Sequence, residues 1–201
     1  MMRRDRTRTA LGAGAALLAA LASAGGARAD AAAGKLKAQT CYACHGPAGH
    51  SGTGEVPSLA GQHAAFIETQ LHLFRDGGRK DAQMAPMTVN LTDTDIADLG
   101  DFFAAQAPSE PSDAEDPAVA AKAKPLLARH NCLACHGPAL AGADKIPRLA
   151  GQQRAYLDWQ LRAYRDGKRD GIEPAMREAA KPLTNAEIRV IAAYVARLKE
   201  P

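Results

Sequence analysis

The sequence predicts an all-α protein that consists of two tandem domains with about three main helices each. Three observations predict this class. Blocks of sequence recur after about 90 residues. Apolar residues in each copy recur at the three- and four-residue spacing of an amphipathic helix, and no stretch alternates with the period of two that marks a strand. The composition, with 46% hydrophobic and 23% charged residues, excludes an intrinsically disordered or collagen-like chain.

The repeat covers nearly all of the chain after the first 30 residues. Its copies are related by shifts of 90 to 92 positions, and loop insertions account for this small drift. The matching segments are CYACHGP at 41–47 with CLACHGP at 132–138, PSLAGQ at 57–62 with PRLAGQ at 147–152, and Leu-Thr at 91–92 with Leu-Thr at 183–184. We therefore place domain 1 at 30–106 and domain 2 at 118–201. The linker at 107–117 holds three prolines and no apolar periodicity.

Three helices are predicted in each domain. The first runs through Ala-, Lys- and Leu-rich sequence at 31–40 and 118–131, directly before the cysteines. The second covers 63–75 in domain 1, and its counterpart ends before Gly167. The third begins at Thr92 or Asp93 in domain 1 and at Thr184 in domain 2. Its predicted core residues are Ile96, Leu99, Phe102 and Phe103 in domain 1, and Ile188, Ile191, Tyr194, Val195 and Leu198 in domain 2.

Residues 1–29 have the pattern of a secretory signal peptide. Four arginines precede an apolar stretch at 11–24, and Ala27 and Ala29 supply the small residues of a cleavage site before Asp30. About 14 apolar residues are fewer than the roughly 20 that a membrane-spanning helix needs. The remaining chain has 20 basic and 21 acidic residues, a net charge of −1 in place of the +3 of the whole sequence. The sequence thus predicts an exported protein without a nucleic-acid partner and without a membrane-spanning helix.

Each domain carries one Cys-x-x-Cys-His pattern. Two residues between the thiols let both sulfurs reach the two vinyl groups of one heme, and the adjacent histidine then lies under the iron as its proximal ligand. Export agrees with this, because c-type heme is attached outside the cytoplasm. We therefore predict two covalently bound heme c groups. Their predicted residues are Cys41, Cys44 and His45 for the first heme, and Cys132, Cys135 and His136 for the second.

Three other uses of the cysteines have to be weighed. Paired Cys-x-x-Cys motifs occur in zinc sites, but a zinc ribbon has a shorter separation and needs no histidine after both pairs. Redox disulfides of the thioredoxin type occur in an α/β context, which this sequence lacks. Structural disulfides are the third alternative, and only adjacent cysteines are available for them. All three fit the pattern less well than heme.

Methionines supply the candidates for the distal iron ligands. Met84 and Met176 each stand seven residues before the repeated Leu-Thr, whereas Met87 stands four before it. Repeat alignment therefore favours Met84 over Met87 in domain 1, and a methionine that does not ligate would fill a gap in the core. The histidines outside the motifs have no counterpart in the other repeat, which is typical of surface or partly buried histidines. They are His50, His63, His72 and His130.

Residues around each heme are predicted by the same repeat. Pro57 and Pro147 follow the proximal histidines by 12 and 11 residues, so that a proline carbonyl can accept the imidazole Nδ1–H, unless each is only a turn residue. Four arginines in matched pairs either bind heme propionates or are solvated charges at helix ends, and the sequence leaves both open. The pairs are Arg75 with Arg165 and Arg79 with Arg169.

Taken together, these motifs resemble those of the diheme cytochrome c4 family over nearly the whole mature chain. The resemblance implies two cytochrome c-like domains around covalent hemes, in a monomeric periplasmic carrier that is not an enzyme. It implies His45 with Met84 and His136 with Met176 as axial ligands. It also implies single-electron transfer from a quinol–cytochrome c reductase toward a terminal oxidase or another acceptor. Association with the membrane surface is left open.

The charge distribution suits a carrier. Residues 30–110 have a net charge of −5 and residues 111–201 a net charge of +4, so the two lobes can orient toward different partners. Independent surface divergence would give the same asymmetry. Two alternatives are a heme subunit of a periplasmic dehydrogenase and a diheme peroxidase-type enzyme. The enzyme would need a substrate site, and the sequence shows no acid–base pair or third domain for one.

Overall fold

The protein is described here by a computed structural model for residues 29–111, 113–169 and 174–199. Within these ranges the regular structure is helical, and the β-type pairing is one isolated bridge between Ala143 and Ile146. The predicted all-α class is thereby confirmed. The predicted signal peptide lies outside the described residues, apart from its last position. None of the described helices is both long and apolar enough to cross a membrane.

Domain 1 contains five α-helices. They are α1 (Ala31–Lys37), α2 (Tyr42–His45), α3 (Ala64–Arg75), α4 (Met84–Thr88) and α5 (Asp93–Ala104). The helix predicted at 31–40 consists of two parts: α1 ends at Lys37, and a 3-10 turn covers Ala38–Thr40. Thr92 is the N-cap of α5, since its hydroxyl accepts the N–H of Asp95 at 3.1 Å and the Asp95 carboxylate accepts the N–H of Thr92 at 2.9 Å. This reciprocal pair satisfies two backbone donors at the helix start.

Domain 2 repeats the same order of helices. They are α6 (Pro117–Arg129), α7 (Cys132–His136), α8 (Arg154–Arg165), α9 (Pro174–Ala180) and α10 (Asn185–Val195). α6 begins at Pro117, whose fixed φ suits the first helical position, and Asp116 caps it by accepting the N–H of Ala118 at 2.9 Å. α10 repeats the reciprocal cap of α5 with Thr184 and Glu187.

Each domain has its own apolar core, formed where its first and last helices cross. Gly34 of α1 allows this crossing in domain 1, because a Cβ there would lie 2.0 Å from the carbonyl oxygen of Asp98 in α5. The four core residues predicted in α5 are each 5% exposed or less. In domain 2 the prediction was wrong for Leu198, which lies beyond the end of α10 at Val195 and is only partly buried, whereas the four other predicted residues lie in α10 and are buried. Each buried side chain of this size contributes about 1.5–3 kcal/mol.

The linker is fastened to both domains. Pro108 packs against Gly61 of domain 1, where φ is +66° and a Cβ would lie 2.6 Å from the proline Cγ. The hydroxyl of Ser109 lies 3.0 Å from Nδ1 of His50 in domain 1. Further along, Glu110 pairs with Lys199 of domain 2 at 3.3 Å. These contacts hold the connection along the junction between the domains.

Candidate heme sites

The two cysteine motifs adopt the same backbone form. Each motif ends in a short helix whose last residue is the motif histidine; Cys41 is the N-cap of α2, and Cys132 is the first residue of α7. The next residue, Gly46 or Gly137, has φ 76° and ψ 166° in both domains. A Cβ at Gly46 would lie 1.9 Å from the carbonyl oxygen of His50, so only glycine permits this turn. The repeat in sequence is therefore also a repeat in geometry.

Both motif histidines are buried and held by a proline carbonyl. Nδ1 lies 2.8 Å from the Pro57 oxygen in His45 and 3.0 Å from the Pro147 oxygen in His136. A carbonyl oxygen only accepts, so Nδ1 carries the proton and Nε2 keeps its lone pair free for a metal. Burial lowers the pKa of both imidazoles, and the hydrogen bond to proline offsets this only in part. Each ring is therefore neutral and oriented, as an iron ligand must be.

No disulfide joins the four cysteines, all of which the structure describes. Cys41 and Cys132 are half-buried, and burial raises the pKa of both, whereas Cys44 and Cys135 are exposed. This contradicts the structural-disulfide alternative, and a raised pKa is the opposite of what activates a redox thiol. Among the residues that the structure describes, no three His, Cys, Asp or Glu side chains are grouped to hold a metal ion.

The segment before α5 and its counterpart before α10 align at a shift of 92. Thr88 and Ala180 occupy the same buried position, at 1% and 0% exposure, and each carbonyl accepts the N–H of the repeated leucine at 3.0 Å. At this shift Met84 corresponds to Met176, and both are half-buried. Met87 corresponds instead to an alanine and is 52% exposed. The geometry thus treats Met84 and Met176 as equivalents.

The domains meet through hydrogen bonds that are crossed and reciprocal. The side chain of Gln152 bonds both the N–H and the carbonyl of Ser58, at 2.8 and 2.9 Å. Gln62 does the same to Arg148, at 2.9 and 3.0 Å. A second crossed pair lies beside them: His63 Nε2 is 2.8 Å from the oxygen of Ala141, and Gln153 Nε2 donates to the oxygen of Ser51 at 2.7 Å.

Two of the four predicted arginines are buried at this interface. Arg79 and Arg169 are each 8% exposed, which contradicts the solvated alternative for both. Each guanidinium lies over an aromatic ring of its own domain, Arg79 at 4.4 Å from Phe74 and Arg169 at 4.5 Å from Tyr164. The two arginines share the side-chain oxygens of Gln70 and Gln160 as acceptors across the interface, and Arg79 also donates to the hydroxyl of Tyr156 at 3.5 Å.

The other pair of arginines, Arg75 and Arg165, forms hydrogen bonds within its own domains. Arg75 donates to the oxygen of Leu91 at 3.1 Å and to Asp93 at 2.8 Å. Arg165 donates to the oxygen of Leu183 at 3.3 Å and to Asn185 at 2.8 Å. In each case the end of the second helix is tied to the start of the last one. These contacts give Arg75 and Arg165 a structural role.

The buried arginine cluster holds two cations, and the described residues that contact them are neutral. The guanidiniums of Arg79 and Arg169 donate to glutamine side chains, and Nε of Arg169 has no partner among the described residues. Burial lowers the pKa of Arg169. Burial alone would raise the pKa of Tyr156, which lies beside them, but the two guanidiniums lower it. Buried charges are normally paired, so this cluster fits a group that brings carboxylates to the interface.

Comparison with known proteins agrees with this arrangement. Residues 120–199 match the family described as cytochrome c, and residues 28–103 match the family described as cytochrome c oxidase, cbb3-type, subunit III. Cytochrome c4 of Pseudomonas aeruginosa is 36% identical over 189 residues, which are 89% of this chain and 92% of that protein. This chain belongs to the cytochrome c4 family. The predicted resemblance is thereby confirmed.

Two further known proteins are similar to this chain. The crystal structure of reduced recombinant cytochrome c4 from Pseudomonas stutzeri superposes with a TM-score of 0.78 at 34% identity, and the match covers 85% of this chain and 99% of that one. A protein named thiosulfate dehydrogenase electron acceptor, from Thiomonas intermedia, is 33% identical over 172 residues, 80% of this chain and 79% of that protein.

Membership of the cytochrome c4 family, with one cytochrome c domain in each half, means two covalently bound heme c groups and electron transfer as the function. The residues of this chain fit those groups: two thiols, a neutral oriented imidazole and a half-buried methionine in each domain, with a cationic cluster between them. The crossed contacts of Gln62 and Gln152 were not predicted from the sequence. Their signal was present, because these glutamines are identical in both repeats.

Proposed function

We propose that this protein is a periplasmic diheme carrier that moves single electrons between a quinol–cytochrome c reductase and a terminal oxidase, without catalysis of its own. Domain 1 at 30–106 holds the first heme and domain 2 at 118–201 the second. The thioether residues are Cys41 and Cys44 in domain 1 and Cys132 and Cys135 in domain 2. The axial pairs are His45 with Met84 and His136 with Met176.

One observation carries this assignment. Each Cys-x-x-Cys-His motif ends in a buried histidine whose Nδ1–H is held by a proline carbonyl at 2.8 or 3.0 Å, so that Nε2 is left to ligate. A hydrogen bond of this kind orients a ligating imidazole and raises its basicity, which is the role we propose for Pro57 and Pro147. A bound heme iron supplies one-electron exchange between its ferric and ferrous states.

The arginine cluster supports the placement of both hemes near the interface. Each heme c carries two propionate carboxylates, and Arg79 and Arg169 are buried cations that lack an anionic partner among the described residues. Guanidinium groups bind carboxylates through paired hydrogen bonds. We propose that these arginines hold propionates, which would bring an edge of each heme to the interface between the domains.

The two lobes favour different docking partners. Residues 30–110 carry a net charge of −5 and residues 111–201 a net charge of +4. Near the distal methionines the surfaces also differ, because Met87 and Val89 of domain 1 are 52% and 59% exposed, whereas Lys181 stands at the position of Val89 in domain 2. Charge complementarity mainly changes the association rate, so electron entry and exit should depend differently on ionic strength.

A second candidate is a heme partner of a periplasmic dehydrogenase. The similarity to a protein named thiosulfate dehydrogenase electron acceptor favours it, at 33% identity over 80% of this chain. In this case the protein still only carries electrons, and its donor is the dehydrogenase in place of the quinol-oxidising complex. Stable co-purification with a dehydrogenase would distinguish this candidate from the first.

Stopped-flow kinetics of the exported, heme-loaded protein tests the proposal. We expect a purified quinol–cytochrome c reductase to reduce both hemes and a terminal oxidase to reoxidise them. The two rates should respond differently to salt between about 10 mM and 1 M, over which the screening length falls from about 30 to 3 Å. The proposal is overturned if the protein alone oxidises thiosulfate or consumes peroxide. Equal salt responses would remove the assignment of partners to oppositely charged lobes.

A further inference from the structure

The crossed glutamines reach the proximal side of the opposite domain. The carbonyl of Pro57 accepts the Nδ1–H of His45, and the N–H of the next residue, Ser58, donates to Gln152 of domain 2. This C=O and this N–H belong to one peptide group. The same holds in the other direction, because the Pro147 carbonyl accepts from His136 and the Arg148 N–H donates to Gln62 of domain 1. Each proximal histidine is thus one peptide group away from the other domain.

The glutamine side chains are held in the orientation that this contact needs. Each side-chain oxygen also accepts the N–H of the following residue, His63 at 3.1 Å or Gln153 at 2.9 Å. Each side-chain nitrogen donates to a carbonyl across the interface. Oxygen therefore faces only N–H groups and nitrogen faces only a carbonyl, which settles the orientation of both amides. Gln62 and Gln152 are 5% and 9% exposed, so water does not compete strongly for these bonds.

Hydrogen bonds at the two ends of one peptide group reinforce each other. An acceptor on the N–H draws negative charge toward the carbonyl oxygen, which becomes a better acceptor for the imidazole proton. A stronger bond to Nδ1–H makes the imidazole a more basic ligand, and a more basic ligand stabilises ferric over ferrous iron. A glutamine of one domain can in this way lower the reduction potential of the heme in the other domain.

We propose that Gln152 and Gln62 are positioning residues that adjust the reduction potential of the heme in the opposite domain. The inference rests on the proposed function, because it takes His45 and His136 as the proximal ligands. It makes docking of the two domains a determinant of both potentials. Separation of the domains would raise the potential of each heme.

The two directions are not equivalent. The bonds between Gln152 and Ser58 are buried, whereas those between Gln62 and Arg148 are partly buried. Arg148 also anchors itself, because its Nε donates to the oxygen of Gly61 at 3.0 Å. Loss of Gln152 should therefore have the larger effect. The heme of domain 1 depends more on domain 2 than the reverse.

Redox titration of Gln152→Met and Gln62→Met in the heme-loaded protein tests this proposal. Methionine keeps the length of the side chain but makes neither bond. We expect Gln152→Met to raise the potential of the domain 1 heme, with a change of about threefold in its ferrous-to-ferric ratio, which is about 28 mV at 59 mV per tenfold change for one electron. Gln62→Met should raise only the reduction potential of the domain 2 heme, and by a smaller amount. NMR signals of the methionine ligands identify each heme.

Gln153→Met is the matched control, because Gln153 bonds across the same interface to Ser51, outside the proximal peptide group. It should leave both potentials unchanged. A second measurement is the NMR shift of the His45 Nδ1–H proton, which should move upfield in Gln152→Met and not in Gln153→Met. Equal shifts of both hemes in all three variants would show that loosening of the interface alone is responsible, and no shift in any of them would overturn the proposal. If the unmodified protein does not show the spectrum of His/Met-ligated hemes, the proposed function itself is refuted.

Discussion

The two domains hold their candidate heme ligands alike but fasten their first helices differently. In domain 1, Lys37 of α1 bonds Asp95 at 2.6 Å and Asp98 at 2.5 Å in α5. At the shift of 92, valine occupies the position of Asp98 in domain 2, and α6 packs on α10 through the buried side chains of Ala120, Ala123 and Leu127. Domain 1 therefore has a buried carboxylate at this crossing where domain 2 has an apolar side chain, although Glu187 of α10 still pairs with Arg129 of α6 at 3.3 Å.

This difference teaches which contacts the site requires. The motif turns at Gly46 and Gly137 have identical dihedral angles, and the histidine–proline bonds differ by only 0.2 Å. The helix crossing behind them tolerates either chemistry, because a partly buried ion cluster and an apolar contact can both hold two helices together. The ligand geometry is shared, whereas the scaffold has diverged.

The largest effect is expected when one of the two distal methionines is replaced, which makes the two hemes unlike each other. Met84→Ala should abolish the methionine-to-ferric-iron band of the domain 1 heme, which is roughly half of the total intensity, because the iron loses its sulfur ligand and its potential falls. Met176→Ala should remove the other half. Visible absorption spectra of the ferric protein and a redox titration measure both effects.

Met87→Ala is the control for this comparison. Its side chain is 52% exposed, and its counterpart in domain 2 is an alanine, so the band and both potentials should stay as they are. If instead Met87→Ala removes the band and Met84→Ala leaves it, then the shift of 92 does not describe the distal loops, and domain 1 ligates differently from domain 2.

A smaller effect sharpens the contrast between the scaffolds. Asp98 is 3% exposed and accepts bonds from Lys37 and from the N–H of Asp30. Asp98→Asn should lower the free energy of unfolding of domain 1 by about 2 kcal/mol, since a charge-assisted hydrogen bond is lost. The matched change Val190→Asn in domain 2 weakens an apolar contact and should not depend on pH. Hydrogen exchange of α1 and α6 reports on each domain separately.

The loss of stability in Asp98→Asn should depend on pH, and the pKa values of the two carboxylates give the direction of that dependence. The hydrogen bonds from Lys37, then from Thr92, lower the pKa of Asp95 to about 2, and those from Lys37 and Asp30 lower the pKa of Asp98. Carboxylates with a lowered pKa stabilise the fold above their unfolded pKa, near 3.8, and cease to do so as the pH falls through the folded value. The difference between the wild type and Asp98→Asn should therefore shrink as the pH falls below about 4. A difference that grows in acid would contradict this account of domain 1.

The sequence predicted what each domain specifies by itself. Helical periodicity and the capping residue Thr92 place α5, and the repeat pairs Met84 with Met176, because these signals are local in the chain. The role of Arg79 could not be decided, since burial at the interface depends on the other domain. Gln152 went unnoticed for the same reason: its bonds span 94 residues, and periodicity reports only on the faces within one domain.

Intact mass together with the ferric and ferrous spectra of the exported protein tests the central claim most directly. The account predicts a chain with two covalently attached hemes, both low-spin and both with methionine bound to ferric iron. It also predicts that Cys41→Ser or Cys132→Ser weakens attachment in one domain only. A mass with a single heme, or a high-spin heme that binds cyanide rapidly in the unmodified protein, would contradict the account of two equivalent, saturated electron-transfer sites.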